Sequence, residues 1–232
     1  MSGAIVIERR FRGPQSSGNG GYTCALVAEL VSADVVEVTL RLPPPLETPL
    51  AVARDGDRVR VLDGDRVVAE ARPAELELEA PPAPSFADAE RLAAAHPPDA
   101  HHPFPGCFVC GPAREAGDAL RLNPAPAGDG VVVAPWRPDA ELAGRRFAWA
   151  ALDCPGAFAV QPDFSRGICV LGRLTARIAD APRAGEELVV AGWPLGREGR
   201  KLHAGTAIYR DGEPIALARA VWIEVGSPLG DS

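Results

Sequence analysis

The stretch Val59-Arg-Val-Leu-Asp-Gly-Asp-Arg-Val-Val-Ala-Glu-Ala71 decides the fold class, because a second form of it lies near the other end of the chain. That second form is Ala207-Ile-Tyr-Arg-Asp-Gly-Glu-Pro-Ile-Ala-Leu-Ala-Arg219. In both, an Asp-Gly pair separates two runs of β-type residues, which is typical of a tight β-hairpin. The two stretches share few identical residues, but the order of strand, Asp-Gly turn and strand is the same. The sequence therefore predicts a duplicated structural unit.

Each hairpin closes a longer series with the same order of elements. In the first series, a helical pattern from Tyr22 to Val31 precedes strand candidates at 35–42, 50–54, 58–62 and 66–71. In the second, a strand candidate at 131–134 and a helical pattern at 147–154 precede strand candidates at 168–178, 186–193, 202–209 and 214–225. One helix followed by an antiparallel meander is thus predicted twice.

Between the two units, the chain is rich in Pro and Ala. The runs at 81–84 and 97–98 disfavour regular structure, whereas Ser85 followed by strong helix formers predicts a short helix. We therefore predict four segments, which are an N-terminal unit (1–72), a linker with a short helix (73–118), a C-terminal unit (119–225) and a tail (226–232).

Composition and charge exclude several classes of protein. The 232 residues include 24 Lys and Arg against 31 Asp and Glu, which leaves a net charge of −7. That charge argues against nucleic-acid binding, which needs a positive surface. The N-terminus has no signal-peptide pattern, and no apolar run approaches the length of a membrane span. With five cysteines, an odd number, we expect a soluble cytoplasmic protein with free thiols and no membrane or nucleic-acid partner.

A single helix can cover much of the apolar face of an antiparallel sheet, and two such units can join edge strands into one sheet. In this order of elements the chain resembles the double-hotdog arrangement of acyl-CoA thioesterases and related dehydratases. The resemblance extends over nearly everything except the linker and the tail. It implies an α+β double hotdog, with two sheet-plus-helix units that share one continuous antiparallel sheet.

The loop Asn19-Gly20-Gly21 at the start of the first helix is the first candidate for chemistry. Free backbone N–H groups at a helix N-terminus suit a carbonyl oxygen or an anion. The alternative is an Asn cap with glycines in a tight turn. In hotdog thioesterases a similar loop polarises the thioester carbonyl, so the resemblance implies substrate contacts here and at the flanking Gln15 and Tyr22.

Asp153 is the second candidate, because it lies among apolar neighbours in Trp149-Ala-Ala-Leu-Asp-Cys-Pro-Gly-Ala-Phe158. The segment is similar to an Ala-Leu-Ala-Asp-x-Ala-x-Gly pattern of one thioesterase branch, which implies that Asp153 is a general base or a nucleophile. The alternative is an Asp that caps a turn before Pro155. The second unit has Gly144-Arg145-Arg146 where that branch has a glycine loop, and Pro155 is expected to bend or end the helix.

These departures predict a composite site. The first unit keeps Asn-Gly-Gly but has Ala28 at the position that matches Asp153, and the second keeps the Asp without the Gly-Gly. One site per chain would take its loop from one half and its acid from the other. Arg145 and Arg146 are candidates for the phosphates of coenzyme A.

His101, His102, Cys107 and Cys110 are weak candidates for a zinc site. Cys-x-x-Cys beside two His resembles a ligand set, but there is no second Cys pair, and adjacent histidines rarely both reach one metal. We therefore predict a structural turn, no metal and no cofactor.

Together these features predict a thioesterase-like protein that acts on acyl-CoA or another acyl thioester, through water activated by Asp153. Two alternatives stay open. One is a non-catalytic acyl-ligand-binding protein, and the other is a hydratase or dehydratase on the same fold. A homodimer of double hotdogs is also expected.

Overall fold

The computed structural model describes residues 4–98 and 102–226, and it contains one eleven-stranded sheet in which every pairing is antiparallel. The strands are β1 (Ala4–Ile5), β2 (Val35–Leu40), β3 (Leu50–Asp55), β4 (Arg58–Asp63), β5 (Arg66–Pro73), β6 (Ala125–Gly128), β7 (Val131–Trp136), β8 (Ile168–Ile178), β9 (Leu188–Glu198), β10 (Lys201–Arg210) and β11 (Glu213–Val225). The hairpins that the Asp-Gly pairs predict are β4–β5 and β10–β11.

The order of strands across the sheet is β1-β3-β4-β5-β2-β8-β11-β10-β9-β7-β6. In each half the first strand of the meander pairs with the last, β2 with β5 and β8 with β11. The halves join through β2 and β8, where Val38 faces Leu174. The predicted single sheet made of two repeated units is therefore confirmed.

Four α-helices lie in the described part of the chain: α1 (Gly20–Ala28), α2 (Phe86–Ala95), α3 (Arg145–Ala151) and α4 (Cys154–Val160). Helix α1 precedes β2, and α3 with α4 precedes β8. Ser85 caps α2 by accepting a hydrogen bond from the Asp88 N–H. None of the described helices is long and apolar enough to span a membrane.

The second unit differs from the sequence prediction in its helix. A continuous helical pattern at 147–154 is interrupted at Leu152 and Asp153, and α4 starts immediately afterwards. Pro155 explains the break, because its ring cannot continue α3 but is well tolerated in the first turn of a new helix. The short strand β6 was also not predicted, since its sequence Ala-Pro-Ala-Gly carries no β-type pattern.

The core lies on both faces of the sheet. Helices α1, α3 and α4 pack on one face, where Val27, Leu152 and Leu174 are fully buried. Helix α2 packs on the opposite face, over β6, β7 and β9. The alternation along β9 shows the two faces, because Val190 belongs to the first cluster and Val189 to the second.

Candidate functional site

The candidate site begins at the N-terminus of α1. The Asn19 N–H donates to the Phe11 carbonyl at 2.8 Å, and the Gly18 N–H donates to the Pro44 carbonyl at 2.9 Å. Asn19 Oδ1 then accepts from the Tyr22 N–H at 2.8 Å, which makes Asn19 the N-cap of α1. Because its oxygen caps the helix, the amide nitrogen of Asn19 is left for another partner.

That partner is Asp153, from the other half of the chain. Asp153 Oδ2 accepts from Asn19 Nδ2 at 2.8 Å and from the Gly21 N–H at 2.9 Å. Asp153 is the N-cap residue of α4, but its side chain makes no capping hydrogen bond there. The predicted contact between the loop of one half and the acid of the other is present.

The two oxygens of the buried Asp153 carboxylate differ, because Oδ2 accepts two hydrogen bonds. The residue is 2% exposed, and within the described residues Oδ1 has no hydrogen-bond partner. Burial raises the pKa of Asp153 to about 7, with a contribution from nearby Cys107, while the hydrogen bonds from Gly21 and Asn19 oppose that rise. A buried polar atom without a partner is uncommon in a folded protein, and Oδ1 is thus a candidate contact for a ligand or water.

Glycine is required at position 21 because α1 and α3 approach each other there. A Cβ at Gly21 would lie 2.6 Å from Asp153 Cβ and 2.7 Å from the Trp149 carbonyl oxygen. Any larger residue would push the two helices apart. The close approach brings the Gly21 N–H within reach of the carboxylate.

Asp153 lines a cavity of about 410 Å³, within the range of small-molecule sites. Asn19 and Gly20 line it as well. Much of the wall is apolar, and it includes Leu40, Phe104, Phe158, Phe164, Leu171 and Ile223. A mostly apolar cavity with a few polar groups at one place is the usual form of a ligand site.

Three cysteines meet beside Asp153 in the same wall. Cys107 and Cys110 belong to the linker and Cys154 to α4, and their sulfur atoms all lie within 4.8 Å of one another. Hydrogen bonds from the thiols of Cys110 and Cys154, with smaller contributions from the backbone N–H groups of Cys110 and Val109, hold the pKa of the Cys107 thiol well below its usual value, although burial opposes this. Cys107 is therefore the most readily ionised of the three.

His102 also lines the cavity, and it is 8% exposed. Its ring lies 5.8 Å from that of Phe158 and 6.2 Å from that of Phe164, measured between centroids. His102 Nδ1 accepts from the Phe104 N–H at 3.1 Å. In the neutral ring this acceptor role leaves the proton on Nε2. His101 lies outside the described residues.

Several residues predicted to bind substrate do not line this cavity. Gln15 is exposed and is not part of the wall. Tyr22 is buried and stacks on Phe11 with ring centroids 3.9 Å apart. Tyr22 directly follows the glycine loop in α1, and helix geometry turns its side chain into the core.

Arg145 and Arg146 line a different cavity, next to Glu29. Arg146 forms a bidentate ion pair with Glu29, with N–O distances of 2.8 and 2.7 Å. Arg145 Nη1 donates to the Ile178 carbonyl at 2.8 Å. Neither arginine lines the cavity that contains Asp153. Both have partners within the protein that explain their positions.

Cys154 and Trp222 are site residues that the sequence argument missed. Trp222, on β11, lines the cavity, and within the described residues its buried Nε1 has no hydrogen-bond partner. The position of Cys154 directly after Asp153 in the sequence could have indicated that Cys154 lies at the site. Neither residue is near the linker in sequence, so only the fold brings them together.

No family model matches the chain, and no curated protein matches it. Solved structures do. The chain is similar to a hotdog-fold protein of unknown function from Alicyclobacillus acidocaldarius, at 13% identity and a TM-score of 0.65, over 97% of this chain and 92% of the other.

It is also similar to the TesB protein of Mycobacterium avium subspecies paratuberculosis, at 14% identity and a TM-score of 0.54, over 90% and 87% of the two chains. An acyl-CoA thioesterase II from Mycobacterium marinum is similar at 13% identity and a TM-score of 0.56, over 96% of this chain and 92% of the other. Likeness at this level of identity shows the fold, and the chain is a double hotdog.

Proposed function

We propose that this protein hydrolyses an acyl thioester and that Asp153 is its general base. The observation that carries the proposal is the state of the Asp153 carboxylate. One oxygen is held by Asn19 and Gly21, and the other, which has no partner within the described residues, belongs to a side chain that lines an apolar cavity. A base must be held in place and also reach its substrate, and this arrangement supports both.

In the proposed reaction, Asp153 Oδ1 accepts a proton from a water molecule while that water attacks the thioester carbonyl carbon. The tetrahedral intermediate then collapses, the carbon–sulfur bond breaks, and the sulfur leaves as a thiolate. The proton on Asp153 passes to the leaving sulfur, which regenerates the carboxylate. Asn19 and Gly21 hold Oδ2 throughout and act as positioning residues.

The donor for the oxyanion differs from the sequence expectation. The N–H of Gly21 is already bound to Asp153, and that of Tyr22 is bound to Asn19. The Gly20 N–H is the first of α1 and has no partner inside the helix, and Gly20 lines the cavity. We assign oxyanion stabilisation to Gly20, with support from the positive end of the α1 dipole.

The apolar wall supports an acyl chain as the buried part of the substrate, and acyl-CoA is the carrier we propose to test first. All five cysteines lie in the described residues and none forms a disulfide, which suits a reducing cytoplasm. The homodimer of double hotdogs stays a prediction, which light scattering on the purified protein would test.

Hydration of an enoyl thioester is a second candidate function, because His102 lines the same cavity as Asp153. Such chemistry commonly pairs an acid with a His. A His102→Gln variant separates the two reactions, since hydration would lose its acid–base partner and thioester hydrolysis through Asp153 would persist.

The test is turnover of a panel of saturated and unsaturated acyl-CoAs. Release of free thiol reports hydrolysis, and loss of the conjugated-thioester absorbance without thiol release reports hydration. We expect thiol release from at least one saturated acyl-CoA. Tight binding of acyl-CoA with no turnover in either assay would overturn the proposal in favour of a non-catalytic acyl-binding protein.

A further inference from the structure

The three thiols of the cavity wall come from two distant parts of the chain. Cys107 and Cys110 lie on the linker turn, and Cys154 is the first residue of α4. Cys107 Sγ and Cys154 Sγ are 3.8 Å apart, and all three sulfurs lie within 4.8 Å of one another. Cys107 and Cys154 are buried and Cys110 is partly buried.

This spacing is that of ligands around a single ion. With zinc–sulfur bonds of about 2.3 Å, two ligands of a tetrahedral site are about 3.8 Å apart. The measured Cys107–Cys154 separation agrees with that edge, and the third sulfur needs only a small side-chain movement. Thiolates are the ligands that select soft or borderline cations such as zinc.

The linker turn is built to present two sulfurs on one side. The Gly111 N–H donates to the Cys107 carbonyl at 2.9 Å, and the Cys107 N–H donates to the Phe104 carbonyl at 2.9 Å. A Cβ at Gly111 would lie 2.4 Å from the Cys107 nitrogen and 2.5 Å from its oxygen, so only glycine fits. The turn is therefore closed tightly around its first cysteine.

The side chain of Asn19 also contacts the cluster. Asn19 Nδ2, which donates to Asp153, lies 3.8 Å from Cys107 Sγ and donates to it as well. Hydrogen bonds to ligand sulfurs orient them and stabilise the thiolate form. The cluster and the candidate base are thus held by the same side chain.

We propose that Cys107, Cys110 and Cys154 bind one zinc ion in the cavity wall, with the fourth coordination position facing the cavity. All three cysteines line the cavity, so water or a ligand there has access to the ion. Three protein ligands and one open position are the usual set of a zinc site that takes part in chemistry. From the sequence we predicted no metal, because only the adjacent His101 and His102 were considered as partners for Cys107 and Cys110, and Cys154 was not.

Metal content tests this site without any measurement of activity, so the result is independent of the proposed thioester hydrolysis. We would purify the full chain under reducing conditions, without chelator, and measure metals by mass spectrometry. We expect about one zinc per chain. Cys110→Ser and Cys154→Ser should each weaken zinc binding by more than about 100-fold, which exceeds the usual loss when a residue that only hydrogen-bonds to a ligand is replaced.

Cys169→Ala is the matched control, because Cys169 lines the same cavity but does not belong to the cluster. It should keep its zinc. Cobalt added to chelator-treated wild-type protein gives a second measurement that needs no variant to fold. Cobalt in a tetrahedral thiolate site produces thiolate-to-metal charge-transfer absorption, and we expect those bands to disappear when zinc is added back.

Three results would overturn the site. The first is wild-type protein without zinc that also lacks the cobalt bands. The second is zinc that stays bound in both folded Cys→Ser variants. The third is a disulfide between Cys107 and either partner in protein isolated without oxygen, seen as a mass two hydrogens lower.

Discussion

Replacing Gly21 with alanine tests the close approach that brings Asp153 to the loop of α1. The added Cβ would lie 2.6 Å from Asp153 Cβ, 2.7 Å from the Trp149 oxygen and 3.1 Å from Ala150 Cα. Carbon atoms normally approach to about 3.5–4.0 Å, so the contact is short by about 1 Å. Because two of these three atoms belong to the backbone of α3, a rotamer change cannot relieve the clash.

The consequence is a shift of α3 from α1 by about 1 Å. Overpacking of this kind costs about 1–3 kcal/mol, and alanine regains about 1 kcal/mol over glycine in a helix, so we expect the free energy of unfolding to fall by up to about 2 kcal/mol. The same shift would lengthen the 2.9 Å hydrogen bond from Gly21 to Asp153 beyond useful range. Misplacing a catalytic group by about 1 Å costs about 100-fold in rate.

Urea denaturation measures the first effect and release of thiol from acyl-CoA the second. Gly226→Ala is the control, since a Cβ there meets nothing within 4 Å, and it should change neither value. If Gly21→Ala unfolds at the wild-type urea concentration and hydrolyses at the wild-type rate, the reasoning about this contact is wrong.

Three further substitutions probe the loop, the predicted arginine and the cavity. Asn19→Ala removes both the cap of α1 and a donor to Asp153, so urea denaturation should show a loss of about 1–2 kcal/mol, and an unchanged midpoint would contradict that role. Arg146→Gln breaks an exposed pair with Glu29 and a contact with Tyr22, outside the cavity that Asp153 lines, so it should leave the KM for acyl-CoA unchanged, with about 1 kcal/mol of lost stability. Ala157→Leu extends a side chain into the cavity and should move the preference in an acyl-CoA panel toward shorter chains, whereas an unaltered preference would place the chain elsewhere.

Local patterns in the sequence were enough to predict most strands of the sheet. Asp-Gly between two β-type runs fixes both register and direction of a hairpin, and both hairpins are present at the predicted positions. The contact between the two halves at the candidate site could also be predicted from the sequence. One half keeps the glycine loop and the other keeps the acid, and Asp153 accepts hydrogen bonds from Asn19 and Gly21.

Side-chain directions and long-range contacts could not be predicted from local sequence patterns. Tyr22 and Arg146 were close in sequence to the site, but helix geometry directs them to the aromatic core and to Glu29. Cys154 meets Cys107 across a sequence separation of 47 residues. Such contacts depend on how the helices pack on the sheet, which no local pattern in this chain specifies.

The central claim is that Asp153 supplies the base for thioester hydrolysis, and Asp153→Asn tests it most directly. Asparagine keeps the shape and can still accept from Asn19 and Gly21 through its oxygen, but it cannot take a proton from water. The matched control is Asp211→Asn, at an exposed turn between β10 and β11. With the best acyl-CoA of the panel, we predict that kcat falls by about 100-fold or more for Asp153→Asn and is unchanged for the control. A folded Asp153→Asn protein that releases thiol at the wild-type rate would contradict the account.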